Sequence, residues 1–381
     1  MPKTDSKRPP NERLSKPENS SNAASAARNL AGFRKNLLDW YGASQRDLPW
    51  RHTGDPYAIW VSEIMLQQTR VAAVVERYQA FMTRFPTLAD LVRASEQEVL
   101  ALWSGLGYYR RARMLHRAAQ LVADEMGGVM PSTSAELRKL PGIGAYTAAA
   151  IASIAHGEQV AVIDGNVERV VCRLKGWHFG ADGGDSKLRN RIKAAAAQLL
   201  DSARPGHFNQ AMMELGATVC TPRGPQCLVC PVAQHCKTRG EHRTASRAPM
   251  TNRDAGYALV VRDGAAGDAE VLLEQRSPSQ TVMPGLWELP VLREEAVPEE
   301  DLRITVRHAI MQVNYTVRIR TVLEHDLDTL TRIGGERRWV PLREASGMAL
   351  TGLARKVLTR TRLLPGLPQR ARSIEKGDAA N

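Results

Sequence analysis

Two carboxylates, a glycine-punctuated turn and four crowded cysteines are the residues of this chain best equipped for chemistry. Glu63 lies in Tyr57-Ala-Ile-Trp-Val-Ser-Glu-Ile-Met-Leu-Gln-Gln-Thr69, where Ile59, Trp60, Ile64 and Leu66 mark a largely buried helix. Gln67 falls one turn later on nearly the same face. A carboxyl group among Ile, Trp and Met is shielded from water, which disfavours its charged form, as a general acid requires near neutral pH. On an amphipathic helix standing alone, the same residue would simply be an exposed Glu. Asp164 follows the apolar run Val160–Ile163 and precedes Gly165-Asn166. It is placed to cap a helix over Val167–Lys175, or to stabilise positive charge developing on a sugar held nearby.

What would hold that sugar is the stretch Leu140-Pro-Gly-Ile-Gly-Ala-Tyr-Thr-Ala-Ala-Ala-Ile. Pro141 and two glycines force a tight turn between helices, and Gly142 and Gly144 can take positive φ and admit a ligand close to the backbone. The N–H groups opening the Ala-rich helix have no intrahelical acceptor and suit a phosphate oxygen. This is the pattern of a helix-hairpin-helix, a sequence-independent clamp on a nucleic-acid backbone; an ordinary corner between two helices is the alternative. Trp103-Ser-Gly-Leu-Gly-Tyr-Tyr-Arg-Arg-Ala-Arg113 adds aromatic and basic groups fit for stacking on bases and pairing with phosphates, unless its tyrosines pack in the core.

Four of the five cysteines form Cys220-x6-Cys227-x2-Cys230-x5-Cys236, with only Cys172 outside. A secreted disulfide framework would be even in number and more spread, so the crowding points to metal. Four thiolates so close suit a 4Fe–4S cluster or a Cys₄ zinc site. A zinc site usually pairs two Cys-x2-Cys knuckles, and one is present.

The elements that must position these groups follow from composition and order. A chain of 381 residues suggests two or three domains. Its 52 Lys and Arg against 40 Asp and Glu give a net charge of +12 and a pI near 9.7, favouring a polyanionic partner over a merely solvated basic surface. No apolar run approaches the ~20 residues of a membrane span and no signal-peptide core follows Met1, so an intracellular protein is expected; association with DNA and a monomeric state are expected as well. Residues 1–28 are polar and expected to be disordered. Helical patterns run through 29–219, an all-α domain, closed by the cysteine loop at 220–236. A basic linker over 237–254 carries Lys237, Arg239, Arg243, Arg247 and Arg253. The pattern then turns to β: Tyr257–Val261 and Val271–Gln275 flank a hairpin signal at Asp263-Gly264, Val313–Val322 alternates as a long strand, and Arg338–Pro341 is a short one. Leu353–Leu363 reads as a closing helix of an α/β domain over 255–365, with a frayed tail at 366–381.

Together these motifs, over roughly 30–365, resemble the MutY-type adenine DNA glycosylases of the helix-hairpin-helix superfamily. Ser62-Glu-Ile-Met-Leu-Gln-Gln-Thr69 is similar to the family helix that supplies the catalytic Glu, and Ile163-Asp-Gly-Asn-Val167 to its catalytic-Asp segment, where endonuclease III has Asp-Thr-His. Tyr146 stands where bifunctional relatives carry a nucleophilic Lys, so no Schiff base with the sugar is expected. The cysteine spacing resembles the iron–sulfur loop of endonuclease III-like glycosylases and implies one 4Fe–4S cluster on Cys220, Cys227, Cys230 and Cys236.

The resemblance implies removal of adenine mispaired with 8-oxoguanine or guanine in double-stranded DNA. It implies Glu63 as general acid and Asp164 as the group stabilising an oxocarbenium-like sugar, with Tyr146 and Asn166 supporting sugar, Asp164 and water. Trp50, Arg51, Leu66 and Gln210 match positions lining the adenine pocket, Gln68 and Tyr108 match residues that wedge into the stack around 8-oxoguanine, and Arg223 is a phosphate contact. The 255–365 region resembles the family's Nudix-like domain, with Gly285-Leu-Trp-Glu-Leu-Pro290 of that type and no Arg-Glu-x-x-Glu-Glu cluster after Gly285. The family's Phe-Ser-His loop reads Ile310-Met311-Gln312 here, leaving Gln312, or Asn314, as the polar reader of 8-oxoguanine. A bifunctional lyase of the endonuclease III kind and a catalytically silent DNA-binding protein are the other classes.

Overall fold

The computed structural model describes residues 19–178, 186–241, 250–264, 267–297, 304–310 and 313–365. A helical stretch runs through α1 (Asn19–Ser44), α2 (Pro56–Leu66), α3 (Val71–Arg84), α4 (Leu88–Arg93), α5 (Glu96–Leu102) and α6 (Arg110–Met126). It continues with α7 (Ser134–Leu137), α8 (Ala145–His156), α9 (Gly165–Lys175), α10 (Ser186–Leu199) and α11 (Pro205–Thr218). Beyond the cysteines come β1 (Thr251–Leu259), β2 (Val261–Asp263), β3 (Ala269–Gln275), β4 (Trp287–Glu288), β5 (Ile304–Ile310) and β6 (Val313–Thr321). The described chain ends with α12 (Leu327–Leu330), β7 (Arg337–Pro341), α13 (Leu342–Ala345) and α14 (Gly352–Arg360). Among the described residues no helix is long and apolar enough to cross a membrane.

Two compact units divide the chain, Met1–Arg46 with Gln159–Thr244 and Asp47–Glu158 with Ala245–Asn381. Neither is continuous in sequence. The reason is packing. In the first unit α1 closes on the second group of helices: Phe33, Leu37 and Tyr41 share a core with Val171, Ile192, Phe208 and Leu215. This α1 begins at Asn19, so helix extends into the stretch expected to be disordered up to residue 28. The rest of that stretch, the tail at 366–381, and Arg243 and Arg247 of the basic linker lie outside the described residues.

In the second unit α2 is apolar on every side and is buried from Tyr57 to Met65. Asp55 caps it by accepting from the Tyr57 N–H at 3.0 Å, and Pro56 occupies its first turn, where no N–H is needed. Trp60, Phe81, Trp103, Leu115 and Ile151 fill the core around it, and Leu286 and Ala349 from the sheet region join that same core. The sheet region therefore packs with 47–158 as one body.

One sheet is mixed and the other antiparallel. β6 pairs with β1 in parallel from Thr251↔Val313 to Leu259↔Thr321 and with β5 antiparallel. β3 pairs antiparallel with β2, β4 and β7. The hairpin expected at Asp263-Gly264 joins β2 to β3. Along β6 the alternation buries Val317 and Ile319 against Leu353, Val357 and Leu358 of α14, as a one-sided strand requires. The strands differ from the sequence reading in that β4 and β5 are additional, and β1 begins at Thr251, so Arg253 belongs to a strand rather than the linker.

Candidate active site and cysteine cavity

In the second unit the expected acid is built as its helix dictates. Glu63 is only 5% exposed, since α2 leaves it no solvent face. The Tyr146 hydroxyl donates to Glu63 Oε2 at 2.7 Å, and one turn along Gln67 Nε2 donates to Thr147 Oγ1 at 3.1 Å. These two bonds tie α2 to the first turn of α8. Tyr146, assigned by resemblance to the sugar and Asp164, has the expected acid Glu63 as a hydrogen-bond partner of its hydroxyl. Thr147 was missed in the sequence, where it reads as one more small residue of an Ala-rich helix.

The turn ahead of α8 has the geometry of a backbone clamp. Gly142 has φ +79°, and a Cβ there would lie 2.6 Å from Met114 Cβ, so only glycine fits. Gly144 differs from expectation: its φ is −86°, a backbone any residue adopts. Its missing side chain leaves open space beside the start of α8, where a Cβ would meet nothing within 4 Å. The first intrahelical bond there runs from Ala148 N–H to Gly144 O at 3.0 Å, so the N–H groups just before it have no intrahelical acceptor.

The remaining second-unit residues separate into buried and presented. Trp50 is buried edge-on to Tyr78 with centroids 5.3 Å apart, beside half-buried Arg51, and Leu66 is half-buried at the end of α2. Gln68 is exposed at φ 56° and Tyr108 is 49% exposed at φ 49°, both in the left-handed region that costs side chains strain. The neighbouring Tyr109 turns inward and donates to Leu350 O at 3.0 Å. The arginines after the tyrosines were expected to pair with phosphates; two of them turn to protein instead. Arg113 bonds Glu96 at 2.8 Å and Pro284 O at 2.6 Å, and Arg111 is enclosed by backbone oxygens.

In the first unit Asp164 is the N-cap of α9, accepting from Val167 N–H at 2.7 Å through Oδ1. Its other oxygen accepts from Asn166 Nδ2 at 2.8 Å. Capping thus occupies one oxygen, and Asn166 holds the other. Arg169, unremarked in the sequence, donates to Asn166 Oδ1 at 2.8 Å, Gly216 O at 2.6 Å and Cys220 O at 2.8 Å. Gly216 permits this approach: a Cβ there would lie 2.6 Å from Asn166 Cβ. Gln210, half-buried on α11, accepts from the Tyr41 hydroxyl at 3.0 Å.

Cys220, Cys227, Cys230 and Cys236 line one small, partly open cavity together with Arg173, Val219 and Arg239. Among the described residues no three His, Cys, Asp or Glu side chains converge on a point suited to one metal ion. By donor type and number, four thiols lining one cavity fit either a Cys-ligated iron–sulfur group or a Cys₄ zinc ion. Arg173 is buried beneath them, donating to Thr221 O at 2.7 Å, Pro222 O at 3.1 Å and Cys220 Sγ at 3.3 Å. It thereby holds the loop on which Arg223 stands exposed. Burial pushes the Cys230 thiol up to about 11 and the buried Cys172 thiol, away on α9, to about 11 as well. Met311 and Gln312 lie outside the described residues. Asn314, the other candidate reader, donates to Asn252 Oδ1 at 3.2 Å across β1 and β6.

A family model described as HhH-GPD superfamily base excision DNA repair protein matches residues 61–208. The chain is 40% identical over 339 residues to an adenine DNA glycosylase of Homo sapiens, covering 74% of this chain and 60% of that protein. To an adenine DNA glycosylase of Mycolicibacterium smegmatis it is 45% identical over 228 residues, 59% of this chain and 76% of that one. Among solved structures, a thermostable thymine-DNA glycosylase aligns at a TM-score of 0.50 and 29% identity, over 56% of this chain and 98% of that chain. With the buried acid of α2, the clamp ahead of α8 and the carboxylate capping α9 all inside the matched region, the chain belongs to the MutY-type adenine DNA glycosylase family.

Proposed function

We propose that this protein is a monofunctional DNA glycosylase, a hydrolase of N-glycosyl bonds that removes adenine mispaired with 8-oxoguanine or guanine during base excision repair. The chain spans 60% of the length of its human relative. One observation supports it most: a carboxyl group 5% exposed, in an apolar helix, bonded to the tyrosine that replaces a nucleophilic lysine.

The adenine must leave the stack to be reached. Glu63 gives its proton to a ring nitrogen of the adenine, so that the electrons of the breaking sugar–base bond leave on a neutral base. The sugar is left cationic, and the Asp164 carboxylate, fixed by Val167 N–H and Asn166, stabilises it. Water then attacks the sugar carbon and its proton returns to Glu63. Tyr146 orients Glu63 through Oε2. With no amine at this position, strand cleavage through a Schiff base is absent.

The four cysteines fit a 4Fe–4S cluster, whose contribution when bound is to fix the loop carrying Arg223 as a phosphate contact. The sheet region acts as a Nudix-like reader of the base opposite adenine, through Gln312 or Asn314, while Gln68 and Tyr108 enter the stack. The deciding experiment is single-turnover base release from duplexes with adenine opposite 8-oxoguanine, guanine and thymine. Release from the first two and not the third is expected; no release from any of them removes the proposal.

A further inference from the structure

Arg111 has an environment that base removal, as derived above, does not use. Its Nη1 donates to Ile64 O at 2.6 Å and Met65 O at 3.1 Å, the carbonyls just after Glu63 at the C-terminal end of α2. Its Nη2 donates to Thr69 Oγ1 at 3.1 Å, Gly107 O at 3.2 Å and Leu106 O at 3.3 Å. None of these five acceptors carries a formal charge. The guanidinium also lies 5.5 Å from the ring centroids of both Trp103 and Tyr108. Burial lowers its pKa to about 10, and its Nε is enclosed without a hydrogen-bond partner.

A cation desolvated without a carboxylate is costly, and it is retained where its planar fork does something a neutral side chain cannot. Here the fork joins three segments at once. It neutralises the negative end of the α2 dipole beside the acid. It grips the turn through Thr69, directly after Gln68, and the turn through Leu106-Gly107, directly before Tyr108. Gln68 at φ 56° and Tyr108 at φ 49° are strained positions that persist only if their surroundings over-determine them. Thr69 completes the bracket by donating to Gln67 O at 3.2 Å and to Leu106 O at 3.4 Å.

We infer that Arg111 is a positioning residue that locks the Gln68 and Tyr108 turns to the helix bearing Glu63, so that entry into the base stack and presentation of the acid occur in one fixed register. The inference rests on the reading of Gln68 and Tyr108 as stack-entering groups. It differs from the sequence expectation of a phosphate contact: the residue touches protein, and its effect on DNA passes through two other side chains.

The test is a double-mutant cycle with Arg111→Lys, which keeps the charge and loses the fork, in parental and Tyr108→Ala backgrounds. Two quantities are read: single-turnover adenine release opposite 8-oxoguanine, and fluorescence of 2-aminopurine placed beside the mispair as a report of unstacking. Arg111→Lys is expected to reduce both, with the rate falling about tenfold. In the Tyr108→Ala background the further loss should shrink to less than about twofold, since the target of the bracket is gone. Equal losses in both backgrounds, or no loss in the first, overturn the inference. If Tyr108→Ala alone leaves the 2-aminopurine signal at the parental value, the stack-entry reading is what fails. Should Arg111→Lys not fold, Thr69→Val removes one arm of the bracket, and its loss must be smaller, in the same direction and equally dependent on Tyr108; no change in Thr69→Val overturns the inference.

Discussion

The Tyr146 hydroxyl donates to Glu63 Oε2 at 2.7 Å, so the first turn of the hairpin's second helix holds the acid of a different helix. On the proposed roles of Glu63 as acid and Tyr146 as its partner, the consequences are separable by substitution.

Glu63→Gln keeps the shape and removes the proton. Adenine release should fall by about 10²–10⁴-fold, the usual share of a general acid, while binding to a duplex with a non-cleavable adenine analogue stays near parental. Tyr146→Phe removes one hydrogen bond to a carboxyl group and should slow release roughly tenfold. Parental single-turnover rates in Glu63→Gln would reject the assignment.

Tyr146→Lys puts an amine where relatives keep theirs. Borohydride should then trap a protein–DNA adduct with the mutant and not with the parent. Equal trapping of both would contradict the monofunctional reading.

Gly216→Ala should act at a distance on Asp164. The new Cβ would stand 2.6 Å from Asn166 Cβ and 3.1 Å from its backbone, forcing the start of α9 to shift. A stability loss of about 1–3 kcal/mol is expected from such overpacking, with base release falling more than binding. Arg169→Gln should share the activity defect, because it releases Asn166 Oδ1 and the Cys220 carbonyl together. Denaturant unfolding and single-turnover kinetics on the same preparations check both.

Purified protein should be brown and contain about four irons per chain. Cys172→Ser should leave the iron content unchanged, because Cys172 is buried in the core on α9 and does not line the cysteine cavity. Zinc without iron after anaerobic purification would refute the cluster.

Glu288 supplies a pH test outside the catalytic residues. Burial raises its pKa above the ordinary value of 4.5, although Arg276 bonds it at 2.7 Å and pulls the other way. The folded state therefore holds this proton to higher pH than the unfolded chain does. Its contribution to stability is fully present below 4.5 and is lost as pH rises through the folded value. Relative to Glu288→Gln, the parent should gain stability as pH falls from about 7 toward about 5 in denaturant titrations. An opposite slope would show that the Arg276 pairing dominates.

What could be read from residue order was local. The largely apolar run around Glu63 read as a largely buried helix, and Tyr57 to Met65 is buried in the structure. Asp164 before Gly165-Asn166 marked the start of α9, and the alternation of β6 and the Asp263-Gly264 turn followed from period and turn chemistry. The spacing of the four cysteines marked them as one group, and they line one cavity.

Tertiary structure decided the rest, because it depends on partners distant in the chain. Tyr108 and Tyr109 are adjacent and chemically identical, yet one is presented and the other bonds Leu350 O, a residue of the sheet region. Arg111 and Arg169 looked like further positive charges; burial turned both into donors for backbone carbonyls. The first helix closes on the helices after residue 159 while the segment between them packs with the sheet region, a pairing of apolar faces that no local pattern encodes.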